Sequence, residues 1–301
     1  MPGTEGEDEQ KGDSWLGIFK SFDAGATWRS TLIPGYPQDM SPDGLASTLK
    51  GFQAAADPAV RAGANGLFFY AGLALNRGNN APTAVFVSRF IDNNNKENGD
   101  PIQYLGTGIV ARSDGSAGSP FLDKPALAVD IPQSGALNCA IAGQGFPGGN
   151  VYLAYSAFLN EGSPTESSGI QFSRSRDCGA TWSAPIPLSP VMTRDQGAVI
   201  VIDPVSGAVY AAWRRVPLMG VAGTSSIYVA KSMDGGQTFP NTTQVATFTP
   251  FDQGATSGSF RTVAYPAITV DSLAASTWPG PKRGSDRSEK PASCCLRRKT
   301  A

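Results

Sequence analysis

One eight-residue stretch is written three times in this chain: SFDAGATW at 21–28, SRDCGATW at 175–182 and SMDGGQTF at 232–239. Self-similarity at spacings of tens of residues restricts the fold to architectures assembled from like units. Each copy follows an alternating run, GIFKS, GIQFSRS or SIYVAKS, and a two-residue period with β-branched and aromatic residues reads as a strand entering a tight turn. Two further strand patterns recur upstream. The first is DPAVRAG (57–63), KPALAVD (124–130), GAVIVID (197–203) and YPAITVD (265–271). The second is GLFFYAGLAL (66–75), NVYLAYSAF (150–158) and AVYAAWRRV (208–216). A degenerate octapeptide, SRFIDNNN, stands at 88–95.

The unit is therefore strand A, strand B, strand C, an Asp turn and strand D. Three units are nearly whole, one supplies its end at 16–33, and a fifth begins at 260. Four-stranded units repeated radially are the blades of a β-propeller. Within each turn the Asp carboxylate (Asp23, Asp177, Asp234) is expected to accept bonds from backbone N–H groups about two residues on. Gly25, Gly179 and Gly236 permit positive φ, and the hydroxyls of Thr27, Thr181 and Thr238 close the turn. Trp28, Trp182 and Phe239 are expected to cover the gap between sheets.

Bulk composition agrees with a globular all-β chain. It is 41% hydrophobic and 16% charged, and its 35 Gly and 23 Pro fall between short apolar runs, as turns between many strands require. A net charge of −1 without a basic stripe argues against nucleic acid as a partner, and no stretch approaches the roughly 20 apolar residues of a membrane span. The chain has no histidine. That removes Ser-His-Asp and Cys-His catalysis and His-ligated zinc together, leaving carboxylates, Arg, Lys, Tyr and Ser. No cofactor is expected.

Ser-x-Asp-x-Gly-x-Thr-Trp resembles the Asp box of the sialidase (bacterial neuraminidase repeat) superfamily. The resemblance implies an all-β, sialidase-type β-propeller with four-stranded antiparallel blades and Asp-box turns, about four blades of six being present. It also implies that the boxes sit on C–D turns, opposite the substrate face. Ser21, Asp23, Gly25, Thr27, Trp28, Ser175, Asp177, Gly179, Thr181, Trp182, Ser232, Asp234, Gly236, Thr238 and Phe239 are then structural.

In that topology the ligand face collects the starts of strands A and the B–C loops. This selects Asp57, Asp123, Lys124, Arg194, Asp195 and Arg261, with Glu161, Glu166, Arg214 and Arg215. Sialidase-like enzymes grip a substrate carboxylate with three Arg, whose guanidinium forks match it bidentately. They add an Asp acid/base and a Tyr nucleophile helped by a Glu. Arg214 and Arg261 are the best placed for the later two Arg, and Asp57 and Asp123 join them as substrate-binding candidates; a salt bridge or a solvated loop is the alternative for each Arg. The family's first Arg has no counterpart, since residues 1–20 hold none, and its Tyr belongs to a blade this chain does not contain. The expectation is a propeller whose parent is a secreted exo-glycosidase acting on acidic sugars, with this chain inactive as written. The alternative is a non-catalytic propeller that binds carbohydrate, glycoconjugate or protein.

Three local features complete the reading. DNNNKENGD, Asp92 to Asp100, alternates oxygens that suit calcium, but Lys96 and Glu97 break an EF-hand loop, and a long polar turn is the alternative. Cys139, in the A–B connection of the third unit, and Cys178, in its Asp turn, emerge on one face of one blade. A disulfide between them is feasible and would imply an oxidising compartment; two buried thiols are the alternative. The start, residues 1–14, is acidic, polar and read as disordered, without the apolar core of a signal peptide.

The incomplete propeller then spans 15–271. From residue 272 the chain is basic, Pro-rich and without strand pattern, where strand B is due. Read from the third base of its first codon, ASTWP (275–279) permits V-Y-L-A-W, so a frameshift is inferred there, against a genuine partner-binding tail. Open strand edges would favour self-association.

Overall fold

The computed structural model describes residues 13–78, 81–92, 102–131, 138–141, 144–147, 149–190, 192–218, 223–249, 264–270, 274–278 and 294–297. They fall into two compact units, residues 2–151 with 174–184, and residues 152–173 with 185–301.

In the first unit, β1 (Gly17–Lys20) and β2 (Arg29–Leu32) form an antiparallel hairpin around the first octapeptide, with Gly17 opposite Leu32 and Lys20 opposite Arg29. A short helix α1 (Pro42–Ala46) follows, its N-terminus capped by Ser41, whose hydroxyl accepts from the Gly44 N–H. The sheet β3 (Ala54–Ala62), β4 (Leu67–Leu75), β5 (Thr83–Ile91) and β6 (Gln103–Ser113) is an antiparallel meander in sequence order. Its central strand LFFYAGLAL is apolar at almost every position because it is buried on both faces. Leu16, Ile33, Phe52, Tyr70, Phe86 and Phe90 belong to one core cluster here. β7 (Phe121–Val129) and the hairpin β8 (Asn138–Ile141) and β9 (Gln144–Pro147) complete this unit's strands.

The second unit carries β10 (Val151–Leu159), β11 (Ser167–Ser175) and β12 (Ile186–Pro187), neighbours in that order, with β10 beginning at the last residue of the first unit. A second complete meander follows: β13 (Asp195–Ile202), β14 (Val209–Arg215), β15 (Ser225–Ser232) and β16 (Asn241–Phe248). The A–B–C–D order read from the repeats is therefore the hydrogen-bonding order of the two sheets whose four strands lie within one unit. β17 (Ala267–Val270) pairs with β18 (Ala274–Trp278), which pairs with β19 (Cys294–Arg297). The segment after Asp271 thus forms strands where its sequence offered no strand pattern; backbone pairing with β17 needs no apolar alternation. No helix among the described residues is long and apolar enough to cross a membrane.

The three octapeptide turns share one bonding pattern. The Ser hydroxyl donates to Asp Oδ1 (2.9, 2.7 and 2.6 Å for Ser21, Ser175 and Ser232) and accepts from the Gly N–H (2.7, 2.8 and 2.9 Å). The Thr N–H and hydroxyl close on the two carboxylate oxygens, at 2.8 and 2.6 Å in the first turn, and likewise in the others. The carboxylate thus reaches the Thr amide four residues on, farther than the short Asx turn expected. The bond from the Thr27 hydroxyl leads those that hold Asp23 below the usual carboxylate range, and the Ser232 hydroxyl does the same for Asp234.

The aromatic caps behave unequally. The Trp182 ring lies against Gly108 of β6, and Phe239 meets Phe172 edge-on at 4.8 Å. Trp28, expected to cover a gap between sheets, is 61% exposed: its ring turns back on its own turn, Nε1 donating to the Gly25 carbonyl at 3.1 Å. Cys139 and Cys178 are bonded, with Cα atoms 6.0 Å apart, so the β8–β9 hairpin is tied covalently to the second octapeptide.

Candidate functional site

Strand A bulges shortly after it begins. The β3–β4 register shifts between Ala56 and Ala59, and that of β13–β14 between Gln196 and Val199. Such a bulge re-aims one side chain and needs one residue out of the extended region. Gly197 fills the place in β13 with φ 65°. Asp57 fills it in β3 with φ 57°, and Lys124 takes the matching place in β7 with φ 53°. A left-handed conformation costs a non-glycine residue about 1–2 kcal/mol, and strain of this kind is concentrated at functional sites. Two charged residues therefore hold positions that backbone geometry would assign to glycine.

The two strained positions bring a carboxyl pair together. Asp57 and Asp123 share a side-chain hydrogen bond. The Lys124 N–H donates to Asp123 Oδ1 at 2.8 Å, and its ammonium lies 3.1 Å from Asp123 Oδ2. Burial raises the Asp57 pKa first, then the Asp123 charge and the bond between the two carboxyls; the Lys124 charge and N–H pull it down. The residue is exposed overall, so its proton is within reach of solvent and solute. A neighbouring carboxylate in hydrogen-bond contact makes ionisation of Asp57 more costly.

The described arginines of the expected ligand face belong to the second unit and are engaged there. Arg214 is 1% exposed, donates from Nε to Ser225 Oγ at 3.0 Å and from Nη1 to the Ala264 carbonyl at 3.1 Å, and lies over the Phe248 ring. It is a buried structural cation, which corrects its assignment to substrate. Arg215 grips Asp195 bidentately at 2.7 Å and 2.7 Å and stacks on Tyr228. Arg194 bonds Glu166 at 3.0 Å and the Pro217 carbonyl at 3.0 Å. Glu166 also accepts from the Gly162 N–H at 3.0 Å, so the EGSPTESS loop is pinned internally rather than free in solvent. Glu161 is exposed.

Arg261 lies outside the described residues, as do residues 93–100 of the candidate calcium loop. Asp92 is described, and its carboxylate is ion-paired with Lys20 at 2.7 Å, which lowers its use to a cation. Among the described residues no cluster of three or more Cys, Asp or Glu is arranged to hold a metal ion.

In the second unit Tyr265 donates to Gln196 at 3.2 Å, and its ring occupies the space a Cβ on Gly197 would need, 2.1 Å away. Neither residue was singled out from sequence. A signal was present, however: D, K, G and Y head the otherwise similar segments at 57, 124, 197 and 265.

No protein-family model and no curated protein matches the chain by sequence. Solved structures do match by fold. The chain is similar to the GH93 alpha-L-arabinofuranosidase of Fusarium graminearum in complex with arabinobiose, at TM-score 0.50 and 14% identity, covering 88% of this chain and 67% of that one. An alpha-L-arabinanase of Penicillium chrysogenum matches at TM-score 0.48 and 12% identity, covering 88% and 67%. A Trypanosoma rangeli sialidase matches at 0.43 and 14%, covering 88% and 42%. At such identities the likeness concerns the fold, which is that of a β-propeller.

Proposed function

We propose that this chain is a glycoside-hydrolase-like propeller in which Asp57, its pKa raised by burial and by the neighbouring Asp123, donates a proton to a glycosidic oxygen. The Asp57–Asp123 carboxyl pair, held where Asp57 and Lys124 take positive φ on strands β3 and β7, is the observation that carries this reading. A raised pKa suits a general acid working near neutral pH. The pair is too close to divide the work of hydrolysis, because acid and nucleophile or base stand about 5–9.5 Å apart in glycosidases. Asp57 and Asp123 therefore count as one acid, with the partner carboxylate or phenolate supplied from elsewhere in the chain. Buried Tyr70, pushed up to about 12 by desolvation, is a poor phenolate.

An uncharged sugar suits this site better than an acidic one, since Arg194, Arg214 and Arg215 are spent on internal partners. The Fusarium arabinofuranosidase of the same fold, bound to arabinobiose, points the same way. The inactivity expected for the chain rested on its truncation and on the missing Arg and Tyr of the sialidase pattern; an acid built on Asp57 requires neither of those two residues.

Release of a fluorophore from an α-L-arabinofuranoside and from an α-sialoside tests the reading. Turnover of the arabinofuranoside is expected, with Asp57→Asn reducing kcat by about 10²–10⁴, the usual contribution of a positioned acid. Sialoside turnover alone would return the acidic-sugar reading. Turnover of neither would overturn the enzyme reading and leave a non-catalytic carbohydrate-binding propeller.

The same variant carries a stability signature of defined sign. The folded state holds the Asp57 proton more tightly than the unfolded chain, so its contribution is complete below the ordinary value of 3.8 and is lost as pH rises through the folded value. Asp57→Asn cannot ionise. It should be inactive yet more stable than the parent at pH 7, and less different from it at pH 4, by urea denaturation.

A further inference from the structure

We propose that Asn241 is an N-glycosylation acceptor, modified by a lipid-diphosphate oligosaccharide in an oxidising secretory compartment. The chain holds 12 asparagines, and one of them, in Asn241-Thr242-Thr243, is followed two residues on by Ser or Thr. That spacing, with a residue other than Pro between, is the acceptor sequence for N-linked sugar. The repeats show that packing does not call for an amide at this place. The second position after the octapeptide's closing aromatic is Ser30 after Trp28, Ala184 after Trp182 and Asn241 after Phe239.

The fold leaves this tripeptide accessible. β16 is the last strand of its sheet, and Asn241, Thr242, Thr243 and Gln244 are all exposed. Side chains alternate along a strand, so Asn241 and Thr243 share one side. Thr242 turns the other way, its hydroxyl 3.5 Å from the Leu188 carbonyl oxygen. Asn241 stands opposite Lys231, at the octapeptide end of the sheet, whereas Asp195 opposite Arg215 marks the far end, where strand A begins. A glycan on Asn241 therefore leaves the strand-A end of this sheet open. The Cys139–Cys178 bond is an independent observation in favour, because disulfides form and persist in oxidising compartments, the secretory lumen among them. In the transfer, Asn241 Nδ2 attacks the anomeric carbon of the donor. An N–C bond forms, the C–O bond to the diphosphate breaks, the diphosphate leaves on its lipid, and one amide proton passes to a base of the transferase. Nothing is oxidised or reduced.

Mass spectrometry of the chain recovered from its own source tests this. Trypsin cuts after Lys231 and Arg261, so one peptide, 232–261, carries the tripeptide and a single Asn. That peptide should bear N-acetylhexosamine and hexose, and an amidase that releases N-glycans in heavy-oxygen water should leave a labelled Asp at 241. The full chain secreted from yeast behind a cleavable leader supplies the second readout. There Asn241→Gln and Thr243→Ala should each lower amidase-sensitive sugar about tenfold or more, whereas Thr243→Ser and Thr242→Ala should keep it. An unmodified Asn241 in the peptide from the source would overturn the proposal, and so would amidase-sensitive sugar that survives Asn241→Gln.

Discussion

Asp195→Ala should destabilise the second unit by about 3–5 kcal/mol, the usual cost of removing one partner from a buried ion pair. Asp195 is 0% exposed and receives Arg215 bidentately, with Thr193 Oγ1 donating to Oδ2 at 3.0 Å. Its removal leaves the Arg215 guanidinium half-buried without its carboxylate, although stacking on Tyr228 remains. Urea denaturation should show a lower midpoint at unchanged slope, followed by near-ultraviolet circular dichroism, to which the buried Trp213 stacked on Tyr228 contributes. Adding Arg215→Met should recover much of the loss, because an apolar pair of similar volume carries no desolvation penalty. A double variant no better than Asp195→Ala would show that the carboxylate acts through Thr193 and the strand, and not through the ion pair.

Loss of the Cys139–Cys178 bond should cost a comparable amount in the first unit. The cysteines are separated by 39 residues, and cross-linking a loop of that length removes about 4 kcal/mol of chain entropy from the unfolded state. Both are buried, so the reduced thiols gain no hydration in compensation. The paired variant Cys139→Ser with Cys178→Ser should melt well below the parent, and a reductant should lower the parent's midpoint towards the variant's while leaving the variant unmoved. Thiol titration in denaturant without reductant offers an independent check: the pair should be unreactive, and four titratable thiols would exclude the bond.

How far these features could be read in advance differs element by element. The A–B–C–D meander was legible because strand period and turn chemistry are local: GAVIVID, AVYAAW and SIYVAKS each declare a strand, and SMDGGQTF declares its turn. The position of Cys139 near Cys178 followed from the same topology. Arg214 was misplaced for a reason of register. Adjacent residues of β14 point to opposite faces, and Arg214 and Arg215 look alike in the sequence while one is enclosed by Ser225, Ala264 and Phe248 and the other reaches Asp195. Trp28 failed for another reason. The octapeptide specifies its own bonds, but not what lies across from its aromatic.

The sequence by itself determined the repeating strand unit, the bonding of its turns and the exclusion of histidine chemistry, since each depends on residues within a few positions of one another. Only the tertiary structure decided that the Asp57 and Asp123 carboxyls meet, that Arg194, Arg214 and Arg215 are engaged internally, and that Phe19 and Trp28 face solvent. Those facts depend on bulges, register and the surface opposite, which come from segments tens of residues away.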